Sequence, residues 1–330
     1  MVPLSVLDLS PICEGAHPHD ALNNSLSLAQ HAESLGYQRY WVAEHHNMRG
    51  IASAATSVVI GHIAGGTQRI RVGAGGIMLP NHAPLVIAEQ FGTLDALYPG
   101  RIDLGLGRAP GTDQLTSQAL RRTLAGSVDS FPQDVLELQA YLGEPQNGQR
   151  VIATPGANSD VPLWILGSSL YGASLAAALG LPYAFASHFA PQMMDEAIAL
   201  YRERFKPSEQ LAAPHVMLGF NVVAADTDEE AEYLRSSAEQ AMLNLRRGMP
   251  GPLPPPIKNF RDSLGAMELR MLDDVARCAA VGTQDKVHEE LDSFVARTGA
   301  DEIMVVAQIF DHDARLKSYE LAASAVAAAA

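Results

Sequence analysis

Short apolar runs alternate with longer segments of helical periodicity along the whole chain, and glycine, proline or polar residues separate them. Brief apolar runs bounded by turn residues are typical of buried strands, whereas apolar residues recurring every three or four positions are typical of helices. The pattern predicts eight strands in chain order. They are Ser5–Leu9, Arg39–Ala43, Ile70–Gly75, Ile102–Leu106, Leu163–Leu166, Tyr183–Ser187, Val216–Ala224 and Glu302–Ile309.

A helical pattern follows nearly every predicted strand. In the clearest unit, strand Ile70–Gly75 precedes a helix that runs from Pro84 to Leu97, and strand Ile102–Leu106 comes next. Proline suits a first helical turn, and a unit of this length can connect two parallel strands. Eight such units predict a (β/α)8 TIM barrel of class α/β, formed by residues 1–330 as one domain.

Two regions interrupt this alternation, after the fourth and seventh predicted strands. Leu115–Ser130 is polar, and Gly143–Val161 is rich in glycine, proline, asparagine and glutamine. Gly248–Ile257 is the most proline-rich stretch, and only one predicted strand follows it, which is too little for a second domain. We therefore expect insertions after strands 4 and 7, the second being either a lid over the barrel or a stiff surface loop.

Composition narrows the class of protein. Hydrophobic residues make up 47% of the chain and charged residues 18%, which is enough to bury a large core. The net charge of -14 argues against nucleic-acid and acidic-membrane partners. Cys13 and Cys278 give no disulfide framework, and neither a signal peptide nor a membrane-length apolar run is found. A cytoplasmic protein is expected.

Several familiar motifs are incomplete. The dinucleotide-binding fingerprint would need glycines where Met78 and Pro110 stand. A nucleophile elbow would need glycine in place of Tyr171. His45 and His46 are adjacent on an extended segment and therefore point to opposite sides, so we expect no metal site there.

Four groups of residues instead stand where predicted strands end, and a barrel brings them to one mouth. They are Glu44-His45-His46, Gly75-Gly76, Gly107-Arg108 and Gly167-Ser168-Ser169. Glycines let a flat ring approach the backbone, and an arginine beside a helix start can bind a phosphate. Histidine titrates near neutral pH. A flat ring with one phosphate suggests a mononucleotide such as FMN, although glycine turns and helix caps also occur without any ligand.

Four motifs strengthen this interpretation by resemblance. The chain contains WVAEHHN, GGIMLPNHAPLVIAEQ, GRIDLGLGRAPG and LGSSLYGASLAAALGLPYAFASHFA. Together they resemble the bacterial luciferase-like flavin monooxygenases, in particular single-chain relatives of the luciferase alpha subunit. The resemblance spans nearly the whole chain and is strongest from Tyr40 to Pro191. It implies a barrel that binds reduced FMN at its mouth, forms a C4a-(hydro)peroxide with O2 and transfers one oxygen to a small organic substrate.

The resemblance also implies roles for individual residues. His45 matches a histidine that acts as acid or base beside the flavin, with Glu44 orienting it and His46 structural. Gly75 and Gly76 match a bulge under the flavin ring, where some relatives have a non-proline cis peptide. The cofactor-binding residues expected are Gly75, Gly76, Gly107, Arg108, Ser168 and Ser169, the last three holding the phosphate.

Each of these roles has a simpler alternative. His45 could merely pack at the end of a strand, and the glycine pair could form an ordinary tight turn. Arg108 could pair with a carboxylate such as Asp113. The chain also departs from the luciferase alpha subunit. It has Gly107 in place of a reactive cysteine, Ser168 in place of a glutamate, and His82 offset by one position, so light emission and a long-chain aldehyde substrate are not expected.

The same resemblance suggests partners. Because no nicotinamide-binding motif is complete, a separate NAD(P)H:flavin reductase would have to supply reduced FMN. Family members often form homodimers, and the small residues Ala88, Gly92 and Ala96 on one helix could pack against a partner or against the chain's own barrel.

Three other functions fit parts of the pattern. An F420-dependent dehydrogenase on the same barrel would transfer hydride and bind a longer anionic tail. A non-catalytic flavin-binding barrel would not need His45. A metal-dependent TIM-barrel hydrolase would need convergent carboxylates and histidines, of which the sequence offers Glu44 and its neighbours.

Overall fold

Parallel strands form the centre of the molecule and helices surround them. The structure, a computed structural model, describes residues 2–108, 116, 119–120 and 130–327. The strands are β1 (Leu4–Asp8), β2 (Arg39–Val42), β3 (Arg71–Met78), β4 (Ile102–Gly107), β5 (Leu163–Gly167), β6 (Tyr183–Phe185), β7 (Val216–Ala224), β8 (Ala279–Gly282) and β9 (Glu302–Val306). The helices are α1 (Pro18–Ser34), α2 (Thr56–Gly65), α3 (Pro84–Leu97), α4 (Phe131–Leu142), α5 (Leu170–Leu179), α6 (Met194–Arg204), α7 (Asp228–Arg246), α8 (Ala266–Ala276), α9 (Gln284–Thr298) and α10 (His312–Ala327). None of these helices is long and apolar enough to cross a membrane.

Eight strands close into a barrel. Neighbouring strands pair in parallel in the order β1 to β7, β7 then pairs with β9, and β9 returns to β1. Asn221 of β7 pairs with Val306 of β9 and also with Ala279 of β8. Strands β8 and β9 therefore lie on opposite edges of β7. Strand β8 shares its edge with β6, which pairs with the first three residues of β7, whereas β8 pairs with the last four. The predicted (β/α)8 barrel is confirmed.

The expectation of a single strand after the proline-rich stretch is wrong, because β8 precedes β9. Strand β8 reads Ala-Ala-Val-Gly and contains one β-branched residue, so its sequence carries almost no strand signal. Pairing with the end of β7 fixes its conformation instead. Strand ends also differ from the prediction, since β3 continues to Met78 and β9 stops at Val306.

The expected insertions follow β4 and β7. Most of Leu115–Ser130 lies outside the described residues. After β7, the extra chain contains α7, α8 and β8. Its proline-rich stretch lies against the loop after β1, where Leu253 is buried and its N–H donates to the Ile12 carbonyl at 2.8 Å. Gly251 also packs against Gly50, after β2. The stretch thus contacts two loops at the barrel mouth, and whether it acts as a lid stays a prediction.

Side-chain alternation divides the core into two layers. Residues facing outward from the strands, such as Val6, Tyr40 and Ile165, form one large cluster with the buried faces of the helices. Residues facing inward form a separate, smaller cluster within the barrel. Its buried members are Leu7, Trp41, Ala43, Trp164, Ala184, Met217, Met304 and Val306.

Charged residues fill the barrel at the amino ends of the strands. Arg39 donates to Asp103 at 2.9 Å and to Glu302 at 2.8 Å, and Arg71 contacts Asp103 from the next strand at 2.6 Å. Burial acts to raise the pKa of the Glu302 carboxyl, but His215, Arg39 and Ser5 together hold this pKa below its ordinary value. The amino end is thus closed by paired charges, which we call the charged floor.

Replacing Arg39 by leucine should lower the free energy of unfolding by about 3–5 kcal/mol at neutral pH, because Glu302 would remain buried without its cation. In the unmodified chain, the lowered pKa of Glu302 stabilises the fold above the carboxyl's unfolded pKa, and this stabilisation is lost as pH falls through the folded value. In the variant the folded pKa rises above the unfolded value. Protonation then relieves the cost, so the deficit should shrink from about pH 7 to about pH 4.

Urea unfolding at several pH values measures this deficit. The matched control is Arg297→Leu, which removes a half-exposed arginine that contacts Asp195 at 3.5 Å and should change stability by less than about 1 kcal/mol. A deficit for Arg39→Leu that is small, or that grows on acidification, would contradict the role of the charged floor.

Candidate functional site

The predicted site residues share one arc of the barrel mouth. Strands β2, β3, β4 and β5 are consecutive neighbours in the sheet, so their carboxyl ends lie side by side. His45 follows β2, Gly75-Gly76 lies within β3, Gly107 ends β4, and Ser168 follows the last residue of β5. Parallel strands bring these residues together although more than 120 positions separate the first from the last.

The glycines of β3 and β4 play two different structural parts. The pairing of β3 with β4 shifts register between Ala74 and Ile77, and the Gly75–Gly76 peptide is cis. A Cβ atom on Gly76 would lie 2.6 Å from the Gly105 carbonyl oxygen, so close packing of the two strands requires glycine there. A Cβ on Gly107 would meet its nearest neighbour only at 3.8 Å. Packing therefore does not require glycine at 107, where its missing side chain leaves room at the mouth.

Arg108 follows β4 directly, and its side chain reaches the beginning of helix α5. Its guanidinium carbon is 4.1 Å from the ring centroid of Tyr171, the second residue of that helix, which is a cation–π contact. Ser168 and Ser169 are exposed just before the helix, and the Ser169 side chain makes no capping hydrogen bond. The Arg108 cation thus lies near a first helical turn that two exposed serines precede, and this combination suits an anion. Asp113, the alternative partner of Arg108, lies outside the described residues.

The Glu44 carboxylate is buried and holds two imidazoles. Its Oε1 accepts hydrogen bonds from Nε2 of His46 at 2.6 Å and from Nε2 of His82 at 2.8 Å, and Oε2 accepts from the Met78 N–H at 3.0 Å. Burial acts to raise the pKa of this carboxyl, but His82, His46 and the Met78 N–H hold it below its ordinary value. Glu44 is therefore ionised at neutral pH and ties the end of β2 to the end of β3.

This cluster changes two expectations. The side chains described as donating to the Glu44 carboxylate are His46 and His82, whereas Glu44 was expected to orient His45. Glu44 and His46 stand two positions apart and can face the same side, so the opposite orientations of His45 and His46 do not exclude a metal site. The ligand atoms of Glu44, His46 and His82 lie within 4.8 Å of one another, so among the described residues these three could hold a metal ion. As they stand, they are joined by direct hydrogen bonds.

A second imidazole, which the sequence analysis missed, enters the mouth from another side. His188 follows β6 by three residues, and its carbonyl accepts a hydrogen bond from Asn221 Nδ2 at 2.8 Å. Burial, and after it the charge of nearby His45, lowers the pKa of His188 to about 4. The rule that selected His45, a titratable residue just after a strand, would also have selected His188.

A cavity of about 410 Å³ lies beside the mouth, between the loops that follow β1 and β9. Cys13, Glu14 and Asp20 line it together with Phe310. Asp20 is already engaged, because it accepts a hydrogen bond from the His17 N–H at 2.8 Å. None of the residues predicted to bind the cofactor lines this cavity, so we do not assign the flavin to it.

Solved structures share this architecture. Apo-MsnO8 is 37% identical to this chain, with a TM-score of 0.89, and the match covers 99% of both chains. Two more distant structures show the fold alone. The oxygenating constituent of 3,6-diketocamphane monooxygenase from Pseudomonas putida, solved with FMN, is 17% identical with a TM-score of 0.71, over 97% of this chain and 96% of that one. An F420-dependent secondary alcohol dehydrogenase is 18% identical with a TM-score of 0.69, over 98% and 99%.

Sequence comparison gives the family. A luciferase-like monooxygenase from Escherichia coli K12 is 54% identical over 321 residues, which cover 97% of this chain and 96% of the relative. The N-acetyl-S-alkylcysteine monooxygenase of Bacillus subtilis is 33% identical over 346 residues, covering 100% and 99%. The family model described as luciferase-like monooxygenase matches residues 4–302. The chain therefore belongs to the luciferase-like monooxygenase family.

Proposed function

We propose that this protein is an FMN-dependent monooxygenase that uses reduced FMN and O2 to insert one oxygen atom into a small organic substrate. The observation that carries the proposal is the position of Arg108, stacked on Tyr171 at the start of α5. This position supports an anion site near Gly107, where a Cβ atom would meet its nearest neighbour only at 3.8 Å. That combination suits a ligand with a flat ring and a single phosphate.

The residues present fit FMN along the arc from β2 to β5. Arg108, Ser168 and Ser169 would hold the phosphate, and Gly75, Gly76 and Gly107 would allow the ring to approach the backbone. Bound FMN would supply the redox chemistry with O2. The inward-facing side chains below are apolar and exclude water from the inner side of the site.

His45 is the proposed acid or base. It follows β2, next to the arc that would hold the ring, and it lies near enough to His188 for its charge to affect that residue's pKa. Histidine imidazoles are the side chains that most often serve as general acid or base. Glu44 acts as a positioning residue, because its hydrogen bonds fix His46, His82 and the backbone that follows the glycine bulge.

An F420-dependent dehydrogenase is the alternative on the same barrel, and a distant solved structure of this fold carries that name. F420 has a longer anionic tail than FMN, whereas Arg108 at the start of α5 provides a compact site for one phosphate. Two imidazoles near enough for the charge of His45 to lower the pKa of His188 also favour catalysis over a non-catalytic flavin-binding barrel.

Partners and location complete the proposal. A separate NAD(P)H:flavin reductase would supply reduced FMN in the cytoplasm. We also propose a homodimer, supported by the exposed apolar residues Val58, Val86 and Leu97 on α2 and α3. Ala88 and Gly92 do not serve this purpose, because Gly156 of the same chain packs against both.

An anaerobic titration with oxidised FMN, photoreduced FMN and F420 tests the proposal. Reduced FMN should bind most tightly, and rapid mixing of the complex with O2 should return the flavin absorbance in two resolved phases, because a water-excluding site separates the reaction with O2 from product release. F420 binding without FMN binding would replace the monooxygenase proposal by the dehydrogenase alternative. A single-phase return at the rate of unbound flavin would support a non-catalytic flavin carrier.

The Arg108→Gln variant tests the phosphate site. Loss of one charge-assisted contact should weaken FMN binding by roughly 10- to 100-fold. Riboflavin lacks the phosphate, so its affinity should be equal in the variant and the unmodified chain. Arg150→Gln, at an exposed position away from the mouth, is the matched control for lost charge. Equal losses for FMN and riboflavin would contradict the assignment.

A further inference from the structure

His188 is held on the part of the mouth that the proposed flavin contacts leave uncovered. Those contacts come from β2 to β5, whereas His188 follows β6 and its loop is fixed to β7. Ser187 Oγ donates to the Gly219 carbonyl at 2.6 Å, and Asn221 Nδ2 donates to the His188 carbonyl at 2.8 Å. The backbone position of His188 is therefore set by the barrel itself.

The direction of the imidazole follows from its contact with Gly219. Gly219 stands two residues after Met217, which faces into the barrel, so it faces the same way. A Cβ atom on Gly219 would lie 2.1 Å from His188 Nδ1. Its distances to the two ring atoms bonded to Nδ1 would be nearly equal, at 3.0 Å to Cγ and 3.1 Å to Cε1. The Nδ1 edge of the ring thus rests on β7. The opposite edge, which carries Nε2, points away from β7 across the mouth.

The same contact selects the tautomer. His188 Nδ1 is buried, and no hydrogen-bond partner for it exists among the residues that the structure describes. A proton on Nδ1 would be a buried donor without an acceptor, which is costly. The neutral form with its proton on Nε2 avoids this cost, and the imidazolium form does not. His188 therefore presents one neutral N–H donor to the mouth.

The wall beneath this donor is apolar. Ala184, Met217, Met304 and Val306 face into the barrel from β6, β7 and β9. A site with an apolar wall and one fixed donor suits an uncharged molecule that carries a single hydrogen-bond-accepting oxygen. An anion would gain less here, because the donor is neutral.

We propose that His188 is the substrate-positioning residue of the mouth and that its Nε2–H donates a hydrogen bond to an oxygen atom of an uncharged, mainly apolar substrate. This inference rests on the proposed flavin site, because it places the substrate opposite the β2 to β5 arc. It assigns His45 and His188 different tasks: proton transfer to the first, and substrate orientation to the second.

Nuclear magnetic resonance of the full chain labelled with ¹⁵N-histidine tests the tautomer without any flavin. Long-range ¹H–¹⁵N correlations distinguish the two neutral tautomers from the imidazolium, and the His188→Gln variant assigns the signal. We expect a neutral ring protonated on Nε2 at neutral pH. A ring protonated on Nδ1, or an imidazolium, would overturn the proposal.

Binding of matched probes to the FMN-loaded protein tests the role. Cyclohexanone should shift the His188 Nε2 signal, whereas methylenecyclohexane, which has the same shape without the oxygen, should not. His188→Leu should weaken cyclohexanone binding by about tenfold, and His188→Gln should weaken it less because its amide retains a donor. Both variants should bind FMN and methylenecyclohexane as the unmodified chain does.

Three results would contradict the assignment. They are unchanged cyclohexanone affinity in His188→Leu, failure of the unmodified protein to bind cyclohexanone, and tighter binding of cyclohexanecarboxylate than of the ketone. Failure of the proposed function is distinguishable from these, since it would appear as loss of FMN binding while the tautomer measurement remained valid. Thermal unfolding of both variants, with His19→Gln at an exposed position as control, verifies that they fold.

Discussion

The candidate site depends on which side chains fill the inside of the barrel. A barrel of eight strands must fill its interior with inward-facing side chains. Here the bulk lies near the amino ends, where Trp41 and Trp164 meet edge to face at 5.1 Å above the charged floor. Toward the carboxyl ends three inward-facing positions are small, namely Ala43, Gly107 and Gly219, whereas Leu166 and Val306 keep larger side chains. The small residue at Gly107 leaves room at the carboxyl end of β4, beside the candidate site.

Ion pairs and hydrogen bonds to charged groups occur at both ends of the barrel, but their arrangement differs. At the floor, Arg39 neutralises the buried carboxylates of Asp103 and Glu302. At the mouth, the Glu44 carboxylate is held by two imidazoles and a backbone N–H. Arg108 instead stacks on the Tyr171 ring, so its N–H donors can still meet an anion. Charges at the floor are therefore paired with one another, whereas Arg108 at the mouth is available to the proposed ligand.

The fold could be predicted from the sequence because strands and helices alternate and turn residues separate them. Apolar runs and glycine stops located the eight barrel strands, and the carboxyl-end rule placed His45, Arg108 and Ser168 on one arc. Strand β8 was missed because Ala-Ala-Val-Gly has no local strand signal and its conformation is set by pairing. Sequence patterns predict elements that are stable locally, and they miss those that depend on a distant neighbour.

The candidate site shows the same limit. Spacing could suggest that Glu44 and His46 share a side, but only the folded chain brings His82 to the same carboxylate. The position of His188 over Gly219 depends on two strands and a loop that are far apart in sequence. Residue types at strand ends were therefore predictable, whereas contacts between different strand ends were not.

A crystal structure of the protein with FMN would test the central claim most directly, because it would show where the phosphate and the ring of FMN bind. We predict that the phosphate lies between Arg108 and the serines before α5, and that the ring lies against Gly75–Gly76 with His45 at its edge. FMN bound elsewhere, for example in the cavity beside Cys13, or with its phosphate away from Arg108, would contradict the account.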